Sequence, residues 1–458
     1  MGKKVEVPSA QVNMPMAFNK VLIANRGEIA VRIIRACREL GLKTVAIYSE
    51  ADVDALHVSI ADEAYCVGPA PSNESYLNIR NILAVCEITG ATAIHPGFGF
   101  LSENEDFARM CEKCQIKFIG PSGAAIGLLG DKAQAKETMK AAGVPVIPGS
   151  DGEVKTLEEA AKIAKAIKYP IMVKASAGGG GKGIKLVNSE KELKEAFSAS
   201  KQESKAYFGN DGVYIEKFIE NPKHIEIQIL ADEHGSIVHL GERDCSMQRR
   251  NQKVIEESPS TFINDELRKK MGDASIKAAK ASNYYSAGTC EFLVDKYGDF
   301  YFMEMNTRVQ VEHPVTEMVT GVDIIKAQIN IARGEKLPFT QEEINIKGHS
   351  IECRICAENP KMNFMPSPGE IIALHMPGGN GVRIDSSAYQ GWVIPKYYDS
   401  MIAKIIVHGK DRREALAKMQ SALAECIIVG VETNTDFLMT LLRDKRFISG
   451  EYDTGTIK

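Results

Sequence analysis

Lys20-Val21-Leu22-Ile23-Ala24 opens a stretch that runs on through Asn25-Arg26-Gly27-Glu28 to Thr44-Val45-Ala46-Ile47-Tyr48. Its first and last segments are short apolar runs of strand length. Between them Ile29, Ile33, Cys37 and Leu40 recur at helical spacing, and Gly41 follows as a helix stop. Strand, helix and strand in that order make a β-α-β unit, so the two strands lie parallel in one sheet. The pattern returns at Ala91-Thr92-Ala93-Ile94 and Lys117-Phe118-Ile119. The N-terminal part therefore reads as a doubly wound α/β domain ending near Gly130. Its first turn has Gly27 alone in Asn-Arg-Gly-Glu, so the dinucleotide fingerprint of an NAD-dependent oxidoreductase is missing.

Downstream, the periodicity predicts helices over 132–142, 156–168 and 190–205, with strands over 171–174 and 213–217. Strands then dominate (225–231, 236–241, 288–294, 300–306) before a helix over 322–333. Lys347 to Ala357 and 401–407 read as strands, and 411–425 and 434–443 as helices. The 458 residues suggest about three domains at roughly 150 residues each. Lys plus Arg number 56 and Asp plus Glu 60, a net charge of −4 that argues against a protein made to coat nucleic acid or an anionic membrane. No run reaches the roughly 18 apolar residues of a membrane span, and the polar N-terminus has no secretory pattern. The expected location is cytoplasmic. The ten cysteines imply no disulfide framework. Cys111/Cys114 fall on a helical pattern and Cys353/Cys356 on a strand, where positions three apart face opposite sides and suit no shared metal.

Gly178-Gly179-Gly180-Gly181-Lys182-Gly183 follows the strand Ile171-Met172-Val173-Lys174. Successive glycines free their N–H groups to wrap an anion. Another strand pattern, Ile184 to Val187, comes next, so the loop reads as a hairpin flap over phosphates or, alternatively, a long flexible turn. A second hairpin is centred on Tyr297-Gly298. A two-residue loop there sets Glu291 opposite Glu304, Phe292 opposite Met303 and Leu293 opposite Phe302. Cys290, Phe292, Val294, Tyr301, Met303 and Met305 then form a core face, and Glu291, Leu293, Phe302, Glu304 and Asn306 the other. Facing carboxylates repel; a hard divalent cation between them is one resolution, with Asn306 as a further oxygen, and a solvated edge is the other. Glu242 to Lys253 gathers four cations, and Arg308, Gln310 and Glu312 alternate as if on one strand face, suited to seating a small oxyanion and taking its proton.

Taken together, these stretches resemble the biotin carboxylases of the ATP-grasp superfamily from Phe18 to about Tyr452. The resemblance is carried by Ile23-Ala24-Asn25-Arg26-Gly27-Glu28-Ile29-Ala30, His95 to Asn104, the glycine loop, the basic stretch and Glu304-Met305-Asn306-Thr307-Arg308. It implies an extension over 1–17 and an N-terminal domain over 18–130. An ATP-grasp domain over 131–345 would carry a mobile lid at about 148–219, and a C-terminal α+β domain would span 346–458. The implied ligase reaction turns ATP and bicarbonate into carboxyphosphate and passes the carboxyl group to N1′ of biotin on a carrier protein. For ATP the resemblance implies Lys132, Lys174, Gly178 to Gly183, Glu216, Lys217, Ile219, His224, Gln248 and Leu293. It implies Glu291, Glu304 and Asn306 for Mg²⁺ or Mn²⁺, and Lys253, Arg308, Gln310, Val311 and Glu312 for bicarbonate. Glu312 would be the base, and Arg354 would stabilise the biotin oxyanion. Asn251 and Phe98 stand where many members carry His and Tyr. The only near match to a biotinylation site, Ala417-Lys418-Met419, lies in a helical pattern. Biotin is therefore expected on a separate biotin carboxyl carrier protein, with separate carboxyltransferase subunits. A homodimer is expected, with Arg35 and Glu39 as interface charges or a surface pair. The expected acceptor is acetyl-CoA, in fatty acid synthesis, or else pyruvate or another 2-oxoacid. Another ATP-grasp ligase and a catalytically silent nucleotide-binding regulator are the competing readings.

Overall fold

A computed structural model describes residues 18–175, 184–208 and 213–457. The first sheet is wholly parallel, with strands in the order Glu63–Gly68, Lys43–Ser49, Lys20–Ile23, Ala93–His95 and Lys117–Phe118. Helix Gly27–Glu39 crosses between the first two strands in chain order and buries Ile29, Ile33, Ile34 and Cys37. The order reverses at Lys20–Ile23, the arrangement the β-α-β reading predicts.

A three-stranded antiparallel sheet follows, with Ile171–Ala175 between Ile184–Val187 and Val213–Lys217. Helices Leu157–Ile167 and Glu190–Phe208 cover it, and Val173, Ile215, Ala160, Leu193 and Phe197 make its core. The glycine loop that links its first two strands lies outside the described residues.

The main scaffold is one antiparallel sheet of eight strands. In spatial order they are Phe300–Asn306, Ser286–Val294, Lys223–Ala231, Ile237–Arg249, Gln252–Ser258, His349–Cys356, Met401–Gly409 and Val382–Ser386. Gln252–Ser258 and His349–Cys356 are hydrogen-bonded neighbours, so the sheet runs unbroken from the central into the C-terminal region. Side chains alternate along each strand. On Lys223–Ala231 one side carries Ile225, Ile227 and Ile229, which pack with Cys290, Phe292 and the helix Asp265–Ala281. The other side carries His224, Glu226 and Gln228, all buried. At the far end Ile351, Cys353 and Ile355 pack with Ile405, Met419 and Leu438 beneath helices Arg412–Glu425 and Thr435–Leu442.

Two hairpins differ from the sequence expectation. The Glu291 hairpin is closed by a longer loop than two residues, with Asp295 N–H bonded to Asp299 O and Gly298 N–H to Asp295 O. Glu291 does face Glu304, but a bulge at Met303 then shifts the register, so Phe292 faces Phe302 and Leu293 faces Tyr301. An extra residue turns the following side chains to the other side. Phe302 therefore joins the core and Met303 is exposed, the reverse of the regular alternation. The basic stretch is also a hairpin. Arg250 and Asn251 sit at its tip with φ of 52° and 65°, the two left-handed residues of a primed turn. That splits the four cations: Arg243 and Lys253 point inward, while Arg249 stacks on Phe364 and Arg250 bonds Asn363 Oδ1.

No described helix is long and apolar enough to cross a membrane. The C-terminal region is tied to the sheet through Glu257, which is fully buried. It accepts from His349 Nε2 at 2.6 Å, Arg412 Nε at 2.7 Å and the Tyr452 hydroxyl at 2.5 Å. Burial pushes its pKa up, but the His349 hydrogen bond and the Arg412 charge outweigh this and lower it to about 2. A depressed folded-state pKa stabilises above the unfolded value and loses that contribution as pH falls. Glu257→Gln should therefore cost about 3 kcal/mol at neutral pH. The difference from wild type, followed by urea unfolding, should shrink as pH falls from the ordinary carboxylate range toward about 2.

Candidate active site

The polar side of the eight-stranded sheet faces a cleft of about 1080 Å³. Lys253 stands at its centre. Its ammonium is 2.6 Å from Glu226 Oε2, 3.1 Å from Glu291 Oε1 and 2.5 Å from Glu312 Oε1. Arg354 donates to Glu256 Oε1 at 2.7 Å and to Glu312 Oε2 at 3.0 Å. Beneath them the fully buried Arg243 donates to Glu226, Gln228, Thr289, Gln310 and Thr316. Three cations thus meet four carboxyl groups.

The protonation states follow from that imbalance. Burial pushes Glu312 up, but Lys253, Arg354 and Arg243 hold it well below the ordinary carboxylate range. Burial likewise opposes the charge on Glu291, and Lys253 and the His224 hydrogen bond overcome it. Burial also lowers the proton affinity of Lys253, but Glu226 and Glu312 raise it well above normal. Glu256 goes the other way. Burial, with Glu312 nearby, lifts it to about 7 against the pull of Arg354, and its Oε2 has no hydrogen-bond partner among the described residues. One carboxyl group of the four therefore carries its proton into the neutral range, which removes the excess negative charge.

The expected residues fall into two groups. Lys253, Arg308, Gln310, Val311, Glu312, Arg354, Glu291, Glu304, Asn306, His224, Gln248 and Leu293 all line the cleft. Lys132, Lys174, Glu216, Lys217 and Ile219 stand apart from its lining. Lys174 pairs with Glu216, which also accepts from Lys136 at 2.9 Å. Lys217 donates to the carbonyls of Lys168 and Tyr169. Ile219 is buried, and Lys132, 86% exposed, lies 3.7 Å from Glu304 Oε2. Gly178, Gly179, Gly180, Gly181, Lys182 and Gly183 lie outside the described residues.

Arg308, Gln310 and Glu312 converge, but not by strand alternation. The strand stops at Asn306, and the chain turns through 307–312 into helix His313–Thr320. Arg308 donates to Glu103 Oε2 at 2.7 Å and Asn306 Oδ1 at 3.0 Å. Gln310 donates to Glu291 Oε1 at 2.7 Å. Glu312 occupies the N-cap of the helix without capping it, because its carboxylate is held by Lys253 and Arg354 instead. The N–H groups of Val311 and Glu312 have no hydrogen-bond partner among the described residues. Unpaired N–H groups at a helix start beside Lys253 and Arg308 suit a small anion.

Glu291 and Glu304 face each other as expected, but the repulsion between them is met differently. Glu291 Oε1 accepts from Asn306, Gln310 and Lys253, and Oε2 from His224 at 2.8 Å. Gln248 donates to His224 Nδ1 at 2.7 Å, so Nε2 carries the proton that His224 gives to Glu291. The repulsion across the ladder is thus relieved by protein donors, and it does not of itself demand a cation. The donor set still suits a hard ion: two carboxylates side by side at the cleft wall, with Asn306 adjacent. Sequence reasoning missed Glu226, Gln228 and Glu256, and it took Arg243 as one of four clustered cations without its buried role. For the first two the signal was present, as polar residues alternating with Ile225, Ile227 and Ile229.

Three family models match this chain. Biotin carboxylase, N-terminal domain, covers residues 17–126. Carbamoyl-phosphate synthase L chain, ATP binding domain, covers 131–340, and Biotin carboxylase C-terminal domain covers 352–458. Biotin carboxylase 1 of Bacillus subtilis is 59% identical over 439 residues, 95% of this chain and 97% of that protein. One of the pyruvate carboxylase subunits of Methanothermobacter thermautotrophicus is 56% identical over 438 residues, 95% and 89% of the two chains. The Hydrogenobacter thermophilus 2-oxoglutarate carboxylase biotin carboxylase domain dimer, in complex with MgADP, ADP and bicarbonate, superposes with a TM-score of 0.87. It is 53% identical and covers 96% of this chain and 97% of that one.

Arg243 is the cation on which the buried network is laid. Arg243→Met removes the shared donor of Glu226, Gln228 and Gln310 and leaves the buried Glu226 carboxylate with Lys253 as its one remaining cation among the described residues. It should lower stability by about 3 to 5 kcal/mol in denaturant unfolding, whereas Arg249→Met, at the hairpin rim, should change stability by about 0.5 kcal/mol or less.

Proposed function

Since the chain belongs to the biotin carboxylase family of ATP-dependent ligases, we propose that its cleft carboxylates biotin presented by a carrier protein, using ATP and bicarbonate through carboxyphosphate. The observation that carries this reading is Glu312, a buried carboxylate held between Lys253 and Arg354. In this state it engages both cations. A bicarbonate anion seated by Lys253, Arg308, Gln310 and the Val311 N–H competes for Lys253. That competition weakens the hold on Glu312 and raises its proton affinity when a proton has to be taken. Deprotonated bicarbonate attacks the γ-phosphorus of ATP, forming the P–O bond of carboxyphosphate as ADP leaves. The phosphate that departs from carboxyphosphate takes the proton from biotin N1′ as that nitrogen bonds the carboxyl carbon. Arg354 lies beside the same carboxylate and would stabilise the ureido oxyanion that develops.

Glu291 and Glu304, with Asn306 adjacent, would hold Mg²⁺ or Mn²⁺. When bound, the ion neutralises charge on the nucleotide phosphates. Lys132, Lys174 and the glycine segment 178–183 would close over those phosphates, with Glu216, Lys217, Ile219 and Leu293 along the base and His224 and Gln248 toward the ribose. Lys174 is paired with Glu216, and nucleotide phosphate would take it from that partner while Lys136 keeps Glu216.

The acceptor we propose is acetyl-CoA, with carboxyltransferase subunits completing the reaction in the cytoplasm. The 56% identity to a component of a pyruvate carboxylase supports pyruvate or another 2-oxoacid as the second reading. A homodimer is proposed because the superposing domain is a dimer. Of the expected interface charges, Arg35 is exposed, whereas Glu39 is paired with Lys326 at 2.5 Å.

The purified chain should hydrolyse ATP only with bicarbonate present, and free biotin should stimulate it. Glu312→Gln should lower kcat by about 10²- to 10⁴-fold with ADP affinity retained. Glu291→Ala or Glu304→Ala should instead weaken Mg²⁺-nucleotide binding. Hydrolysis indifferent to bicarbonate, or an active Glu312→Gln enzyme, would remove this reading. Affinity capture from cells, followed by assay of the complex with acetyl-CoA and pyruvate, separates the two acceptors.

A further inference from the structure

Asn25-Arg26-Gly27-Glu28 takes no part in the chemistry set out above, yet it sends a carboxylate to the back of the proposed base. Glu28 is buried with neither oxygen hydrogen-bonded among the described residues, and the cation beside it is Lys404, which is 0% exposed. The Lys404 ammonium donates to Val311 O at 2.6 Å and lies 3.1 Å from Glu28 Oε1 and 3.9 Å from Asp385 Oδ2. Three regions of the chain therefore meet at one buried charge. Glu28 comes from the first helix, Val311 from the central turn, and Lys404 and Asp385 from adjacent C-terminal strands.

The ladder makes that charge costly. Lys404 is the cross-strand partner of Arg354 on one side and of Asp385 on the other. Facing cations repel. Here they are drawn apart, Lys404 toward Glu28 and Asp385, and Arg354 toward Glu256 and Glu312. The acceptor Lys404 finds is also specific. Val311 O belongs to the peptide that leads into Glu312. On the preceding peptide, His313 Nδ1 bonds Gln310 O at 2.8 Å. The carbonyls of Gln310 and Val311 are thus both held, while the N–H groups of Val311 and Glu312 have no partner among the described residues. Glu312 itself cannot stabilise the turn by capping, since its side chain is committed to the cleft.

We infer that Lys404, ion-paired with Glu28, is a positioning residue for the bicarbonate step, holding the Val311–Glu312 peptide so that the Glu312 carboxylate and the Val311 N–H address the same anion. The inference rests on the reading of Glu312 as the base. A purely structural ion pair would act on stability and on every substrate alike. A positioning pair acts on bicarbonate alone.

The test is bicarbonate-dependent ATP hydrolysis by the full chain, with ADP affinity measured by calorimetry. Lys404→Met should lower kcat/KM for bicarbonate by about tenfold to a hundredfold and leave ADP affinity unchanged. Glu28→Gln, which spares the Lys404–Val311 bond, should lower it by less. The double variant should be no worse than Lys404→Met alone, because the two residues act as one unit. If Lys404→Met does not fold, Glu28→Gln decides the matter: a fall confined to bicarbonate supports the inference, and an unchanged kcat/KM overturns it. A folded Lys404→Met enzyme with wild-type kcat/KM for bicarbonate, or equal losses for ADP and bicarbonate, also overturns it. A wild-type chain that hydrolyses ATP without bicarbonate overturns the functional reading and this inference with it.

Discussion

The structure depends on one constraint: a row of charged side chains, most of them buried, crosses the polar side of the eight-stranded sheet. Glu304, Glu291, Glu226 and Arg243 are successive cross-strand neighbours, and further along Glu256 faces Glu352 and Arg354 faces Lys404, which faces Asp385. The opposite side of the same strands is apolar and packed. Strand periodicity allows no other outcome: once Ile225, Ile227 and Ile229 are committed to the core, His224, Glu226 and Gln228 must face the cleft. Burying like charges side by side is tolerable only where cations interleave or where a carboxyl group keeps its proton. Both devices are present. Arg243 and Lys253 interleave with Glu226, Glu291 and Glu312, while burial lifts Glu256 to about 7 and Glu352 well above its ordinary value. Neither oxygen of Glu352 has a hydrogen-bond partner among the described residues, and burial beside Glu256 favours the neutral acid, which does not require the partners an anion must have.

Such a network has a functional consequence. A site that is internally neutralised is stable when empty, and each of its ion pairs can be exchanged for an interaction with substrate. Glu312 is a weak base while two cations hold it, and it becomes a stronger one when an anion draws on Lys253. Low dielectric makes that exchange large. The same reasoning explains why Arg308 is braced by Glu103 and Asn306: a guanidinium waiting for an anion has to be kept from collapsing onto Glu312 or Glu291.

Much of this was legible in the sequence, and the parts that were not share a cause. The β-α-β unit follows from periodicity, whereas the facing of Glu291 with Glu304 is expected from a two-residue loop and is kept because the longer loop and the bulge offset each other. The bulge at Met303 does not follow from periodicity, because one extra residue leaves the apolar pattern on both sides plausible and only packing of Phe302 decides it. The convergence of Lys253, Arg308, Glu312 and Arg354 came through resemblance, since these residues lie on separate elements whose pairing no local pattern specifies. Arg243 read as one cation in a charge run because run and buried partner look alike until the hairpin turn at Arg250-Asn251 separates them. Glu256 is the harder case: its role depends on a proton, and protonation is a property of the assembled network.

The first β-α turn shows how a fold can keep a shape and change its use. In a dinucleotide-binding sheet this turn meets a pyrophosphate at the helix start. Here the chain itself fills the place. Asn25 Nδ2 donates to both Pro96 O and Phe98 O at 2.7 Å, and a Cβ at Gly97 would come 3.0 Å from that nitrogen. Arg26 is paired with Asp52 at 2.6 Å and stacked 4.2 Å from the Tyr398 ring, and Glu28 reaches Lys404. The side chains of the turn are therefore engaged by other segments of the chain. Of the residues that engage them, Phe98 and Tyr398 line the cleft. The N-terminal sheet thus supplies no reacting atom in the proposed chemistry; it supplies the fixed points against which the cations of the cleft are held.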